Sequence, residues 1–284
     1  VDLAFLFPDF LQNDGGRLAQ QKFQQLASGH YSCRTLTYKH RHNHVDFLSD
    51  RLKEQPSSHD KTTYCIHYGP QVEKLCRQLK GRKIVYFAHS TGWKIRIPKH
   101  VPIICVSRHT LAYWGRHAPN NPLYYLPNIV SDVFCLPGSS VKSRVNEASV
   151  DKRYRPNDVI VVKRKMSPYL LDELIPLLEK KHTVSVIDSW VEDLSKELQR
   201  SKVFLYDSRH YWSKQGVSEG FGLPPLEAMA CGCTIFSSIN DALADYLDPT
   251  TNCQQLAVAN AQHDVQRISL AINNWQEPTT NMNI

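Results

Sequence analysis

No run in this chain approaches the roughly 18 consecutive apolar residues of a membrane-spanning helix, so a polytopic membrane protein is not expected. Its eight cysteines, at 33, 65, 76, 105, 135, 231, 233 and 253, form no CxxC pair and no regular secreted-domain spacing. That argues against a disulfide framework and for buried, reduced thiols in a cytoplasmic protein. Cys231 and Cys233 straddle Gly232 at a helix-to-strand junction, which suits packing better than metal ligation. The apolar run 3–7 follows Asp2 and is too short for a signal peptide. No internal repeat, low-complexity tract or nucleic-acid-binding motif is present. A soluble protein with no nucleic-acid partner is expected, with peripheral contact at the inner membrane face left open.

What is present is an alternation of short apolar runs with helical-period segments, the pattern of βα units and a parallel sheet. Strands are expected at 3–7, 33–38, 62–67, 83–87, 102–106 and 123–126, then at 157–162, 183–187, 202–206 and 233–236. Ala19, Phe23, Leu26 and Ala27 mark one helical face, and Val72, Leu75, Cys76 and Leu79 another. Further helices are expected at about 168–180, 190–200, 224–231 and 260–275, the first kinked or broken by Pro176. Two ordinary domains fit the 284 residues: 1–140, a linker at 141–156, and 157–284. The halves differ in charge, with 18 Lys/Arg against 9 Asp/Glu up to residue 140 and 16 against 18 beyond it. A basic first half suits an anionic partner.

One stretch carries chemistry. Residues 219–232 read EGFGLPPLEAMACG, with two carboxylates, Glu219 and Glu227, eight positions apart around a glycine turn and a helix start. Gly220 and Gly222 let backbone amides approach a ligand closely, and Pro224 and Pro225 can open a helix where a missing N–H costs nothing. Amides at such a helix start suit a phosphate or polarised hydroxyls. Ligands of parallel sheets lie outside the carboxyl ends of the strands. The candidates fall there: Arg164 and Lys165 after one strand, Glu219 after another, and Gly15, Gly16 and His89 in the first half.

These residues resemble the retaining glycosyltransferases of family 4. The signature of Glu, seven residues, Glu, then Ala-Met-Ala-x-Gly is complete at 219–232. Weaker likenesses are the opening strand and glycine loop through Gly15 and Gly16, Val106-Ser107 before a helix, and the segment 127–134. The resemblance implies an α/β GT-B fold of two Rossmann-like, doubly wound domains facing across a cleft. It further implies transfer of a sugar, with retention, from a nucleotide diphosphate sugar to a hydroxyl of a glycan, lipid-linked or small-molecule acceptor, without metal or other cofactor. Glu219 would lie by the donor sugar and Glu227 would accept from the ribose hydroxyls. Amides near Gly220, Phe221, Gly222 and Leu223 would meet sugar and diphosphate, with Gly15 and Gly16 admitting a phosphate or acceptor. Arg164 and Lys165 would neutralise the diphosphate, and His89 would reach the sugar from the first domain. The chain departs from the pattern in two places. The usual spaced Arg and Lys are compressed to Lys163-Arg164-Lys165, leaving open which lysine serves, and the usual Gly-Gly after the next strand is replaced by Ile239-Asn240-Asp241.

Two other readings stand beside this one. His40, His42 and His44 would share a face if they lay on a strand, and could then bind zinc for a metallohydrolase. Alternatively, the chain binds sugar nucleotide without catalysis. The segment 93–99, WKIRIPK, mixes apolar and basic residues as an interfacial patch would, but reads more simply as an ordinary connecting strand.

Overall fold

The computed structural model describes residues 2–9, 15–67, 69–136, 154–256 and 260–276. The chain divides into two compact units, Val1–Ile129 and Val130–Ile284. Among the described residues no helix is long and apolar enough to cross a membrane.

The first unit is built on a seven-stranded sheet of β1 (Asp2–Phe7), β2 (Ser32–Thr37), β3 (Asp46–Phe47), β4 (Thr63–Ile66), β5 (Lys83–Ala88), β6 (Ile103–Cys105) and β7 (Leu123–Tyr125). All pairings are parallel and the order is β3-β2-β1-β4-β5-β6-β7. Chain order reverses between β1 and β4, the arrangement of a doubly wound sheet, in which ligands sit at the reversal. Helices α1 (Gly15–Ala27), α2 (Leu48–Glu54), α3 (Val72–Gln78) and α4 (Arg108–His117) connect the strands. Ala4, Phe5, Leu6 and Phe7 of β1 are buried, because a central strand covered on both faces has no solvent side.

Most strands match the sequence expectation within a residue or two, but α1 departs from it in part. Leu26 is 47% exposed, whereas Gln20 is fully buried and its Nε2 donates to the Leu6 carbonyl at 3.4 Å. Ala27 is buried and Phe23 packs against the same core as expected, so the departure is confined to Leu26, with Gln20 buried on the core side. Ser107, expected as part of a family motif, caps α4: its Oγ accepts from Thr110 N–H, and Thr110 Oγ1 accepts from Ser107 N–H, each at 3.0 Å. The 93–99 segment is not an outward apolar patch. Ile95 and Ile97 pack against the unit's core, and Glu73 accepts the Arg96 amide at 2.6 Å.

The second unit has five parallel strands, β8 (Asn157–Val162), β9 (Val184–Ile187), β10 (Ser201–Tyr206), β11 (Thr234–Ser237) and β12 (Gln254–Gln255), ordered β12-β11-β10-β8-β9. Here the reversal falls between β8 and β10. Among the described residues, five α-helices accompany them: α5 (Ile175–Leu178), α6 (Leu194–Gln199), α7 (Arg209–Gln215), α8 (Leu223–Ala230) and α9 (Ala261–Asn273). Tyr169–Leu174 winds as a π-helix and passes into α5 at Pro176, so the expected interruption is there. Its cause is the missing proline N–H. The linker expected at 141–156 lies outside the described residues as far as position 153. Arg155 belongs to the core of the second unit. It is 4% exposed and donates to the carbonyls of Ser201 at 2.6 Å and Cys231 at 2.8 Å, tying the start of β10 to the end of α8.

Candidate functional site

The turn from Gly220 to α8 is held by its backbone. Gly222 has φ +81°, the left-handed region that a side chain disfavours, and its carbonyl accepts the Tyr246 hydroxyl. An added methyl would overlap Leu243 and lie 3.2 Å from Tyr246 Oη. Phe221 is 7% exposed, its ring 5.7 Å from that of Tyr246. Leu223 opens α8, and Pro224 and Pro225 follow in its first turn. Because the prolines carry no N–H, the amide donors left at this end come from 220–223.

Glu219 is 5% exposed, and one of its oxygens gathers three donors: Tyr206 Oη at 2.7 Å, Ser208 Oγ at 2.9 Å and Trp212 Nε1 at 2.6 Å. Burial, reinforced by the Glu219 charge, pushes the Tyr206 phenol far above its ordinary range, so it remains a donor. All three donors come from the end of β10 and the α7 segment after it. Arg209-His210-Tyr211-Trp212 has no apolar stripe to mark a helix in the sequence.

The departure at Asn240-Asp241 has a backbone explanation. Asp241 sits at φ +50°, a conformation in which Gly is most at ease and Asp is better tolerated than most other residues. Its carboxylate accepts the Glu219 amide at 3.4 Å and Asn240 Nδ2 at 3.2 Å. Asp241→Gly is therefore expected to hold stability within about 1 kcal/mol, since easier backbone geometry offsets a lost bond. Asp241→Ala should lose about 1–2 kcal/mol, the left-handed penalty for a residue that cannot bond back. Urea midpoints of the two variants check this order.

At the end of β8, Lys163 continues the sheet through its amide to the Ile187 carbonyl at 2.8 Å. The side chains of Lys163 and Arg164 are exposed. Lys165 turns at φ +73° and its Nζ lies 4.3 Å from the centre of the Trp212 ring and 6.0 Å from that of Tyr211. The structure thus links Lys165 and Glu219 through Trp212, both at the β8/β10 reversal; among the described residues Arg164 has no corresponding contact. Glu227, one turn into α8, is half-buried, and burial pushes its carboxyl up to about 7.

In the first unit His89 follows β5. Its Nε2 meets Nδ1 of His67, just past β4, at 3.1 Å. Stacking at 4.4 Å on Phe87 buries His67, and that burial, with the nearby His89, holds its imidazole well below the ordinary range and so neutral. His67 Nε2 is buried without a hydrogen-bond partner among the described residues. A bare lone pair there costs less than an orphaned N–H, so the favoured tautomer carries its proton on Nδ1 and donates to His89. Sequence reasoning did not find His67. Gly15 and Gly16 form the first residues of α1, and the loop before them, 10–14, lies outside the described residues.

The zinc reading loses its geometry. Residues 40–44 are not a strand: His42 makes an antiparallel bridge to Val45, and His42 and His40 approach Asp9 at 2.8 and 4.0 Å. Among the described residues no group of three or more His, Cys, Asp or Glu could hold a metal ion. Cys231 and Cys233 donate to the carbonyls of Phe134 and Leu198, each at 3.2 Å.

Residues 144–282 match the family model of group 1 glycosyl transferases. That span contains Lys165, Trp212, Glu219, Glu227 and Asp241. No curated protein matches the chain by sequence. Among solved structures, the chain is similar to sucrose-phosphate synthase from Thermosynechococcus elongatus, with a TM-score of 0.58, 13% identity, and 96% of this chain and 90% of that one covered. It is similar to Anabaena HepE in complex with UDP-glucose, with a TM-score of 0.60, 11% identity, and 95% and 89% covered. A glycosyltransferase from Rickettsia africae gives 0.62 and 10%, with 96% and 88% covered. The fold is that of GT-B glycosyltransferases, an α/β chain with two parallel sheets.

Proposed function

We propose that the protein is a retaining glycosyltransferase that moves a sugar from a nucleotide diphosphate sugar to an acceptor hydroxyl. The observation that carries this reading is the oriented Glu219 carboxylate beside Lys165 at the reversal of the second sheet, within the span that matches the group 1 family. Glu219 accepts from the donor sugar, the amides of 220–223 meet sugar and diphosphate, and Glu227 accepts from ribose. Lys165, rather than Lys163, is the diphosphate lysine, with Arg164 beside it. The bond from the anomeric carbon to the diphosphate oxygen breaks and a bond to the acceptor oxygen forms. The acceptor proton passes to the released diphosphate. Charge builds on that leaving group, so fixed cations lower the barrier and no metal is required. The first unit, with its basic excess, faces an anionic or carbohydrate acceptor, and His89, aligned by His67, serves from its β5 edge.

Calorimetric titration with UDP-, GDP- and ADP-glucose, in EDTA, tests the reading. UDP-glucose is the first choice because HepE was crystallised with it. Binding of none of the three would overturn the proposal.

Glu227 adds a pH signature. A carboxyl that holds its proton more tightly folded than unfolded imposes no penalty below its ordinary 4.5; as pH rises through about 7 the penalty grows to on the order of 3 kcal/mol. Ribose hydroxyls donate to the ionised form, so donor binding is expected to release part of a proton near neutral pH and to tighten as pH rises. Binding heats in buffers of different ionisation enthalpy would reveal the release, and Glu227→Gln should abolish it. A buffer-independent heat in the wild-type chain would remove Glu227 from the donor site.

A further inference from the structure

We infer that Trp212 is a positioning residue that couples the sugar-side carboxylate to the diphosphate-side cation, an inference that rests on the donor-site reading above. One indole serves two partners. Its N–H donates to Glu219 at 2.6 Å, and its ring face carries the Lys165 ammonium 4.3 Å from the centroid. Tyr211 supplies a second, more distant ring at 6.0 Å.

The Glu219 oxygen that meets Trp212 already accepts from Tyr206 and Ser208. Three donors exhaust the accepting capacity of one carboxylate oxygen, so a sugar hydroxyl must be received by the other. Trp212 therefore helps to decide which oxygen is presented and in what direction. On the other side, Lys165 is held at φ +73°, a backbone state that persists in a lysine only when its surroundings over-determine it. The Trp212 face is one contact of its side chain, because a cation is drawn to the ring quadrupole.

The position of Trp212 depends on α7, which lies between β10 and the glycine turn. Gly216, at φ +64°, caps α7, its N–H bonding back to Ser213 and Trp212, and sends the chain on to Glu219. Lys165 and Glu219 follow adjacent strands of the sheet, and Trp212 touches both.

Steady-state turnover of UDP-, GDP- and ADP-glucose by the full chain tests this with Trp212→Phe and Trp212→Leu. Phenylalanine keeps a ring face and removes the N–H, so kcat should fall about 10- to 100-fold, the scale of a sub-ångström to 1 Å misplacement, with little change in donor KM. Leucine removes both functions and should raise donor KM as well. Lys165→Met should then raise KM by a smaller factor in the Trp212→Leu background than in the wild-type chain, because part of the ammonium's placement is already lost. Melting temperature, followed for every variant, separates positioning from general loss of fold. Wild-type kcat in Trp212→Phe, or losses in kcat that track melting temperature alone, would overturn the inference and leave the donor-site reading standing. A wild-type chain that binds none of the three sugars would bring down both.

Discussion

Glu219→Ala is expected to lower sugar transfer by about 10²–10³-fold, the scale of removing one oriented polar group from a reacting centre, and also to destabilise the second unit. The stability loss comes from what the carboxylate leaves behind. Tyr206 and Ser208 are buried donors, and Trp212 is partly so. An orphaned buried donor costs about 1–3 kcal/mol, and with water reaching the indole the sum is about 2–5 kcal/mol. Glu219→Gln separates the two effects. Its amide oxygen can take the place of the oxygen that accepts from Tyr206, Ser208 and Trp212, so the fold is expected to survive. Its NH2 then occupies the position offered to the sugar, turning an acceptor into a donor and removing the charge. Urea midpoints and donor turnover, measured on both variants, report the two effects independently. Full turnover in Glu219→Gln would mean that this carboxylate has no part in the reaction.

Gly222→Ala is expected to be the most damaging conservative change in the chain. Three costs coincide. At φ +81° an alanine carries a left-handed penalty of about 1–2 kcal/mol. Its methyl would overlap Leu243, a fully buried residue that has no room to withdraw. Forcing a methyl into such packing costs about 1–3 kcal/mol more. The Tyr246 hydroxyl that seats the Gly222 carbonyl would be displaced as well. A total of about 2–5 kcal/mol should appear as a lowered denaturation midpoint, accompanied by weakened donor binding because the 220–223 amides move together. A variant as stable as the wild-type chain would show that the turn is not held as tightly as these contacts require.

The strands were legible because central parallel strands are buried on both faces and read as continuous apolar runs, as Val159 to Val161 and Val203 to Tyr206 do. The glycine turn and start of α8 were legible because left-handed glycines and first-turn prolines follow from local backbone sterics. Helix α7 was not, since its seven residues have no periodic apolar face and depend on Trp212 reaching Glu219. In α1 the pattern placed Phe23 and Ala27 correctly but not Leu26, which faces out, while Gln20 is buried with its Nε2 donating to a backbone carbonyl. Asp241 looked like a departure from a glycine pattern. It sits at a positive φ, which glycine adopts most easily and Asp tolerates better than most other residues. The histidines at 40, 42 and 44 suggested ligands only on the assumption of a strand, which the His42–Val45 bridge replaces.

The amino-acid order by itself determined the two α/β halves, the glycine turn, and the carboxylates and cations at strand ends, because these depend on interactions within a few residues. Three things awaited the tertiary structure: which oxygen of Glu219 is already engaged, which lysine of Lys163-Arg164-Lys165 turns inward, and the part played by His67. Each depends on which strands are neighbours. The reversal that sets β8 beside β10 brings Lys165 to Trp212 and Glu219, and the pairing of β4 with β5 brings His67 to His89. Sequence spacing carries no record of such adjacency, since it is fixed only when the sheet closes.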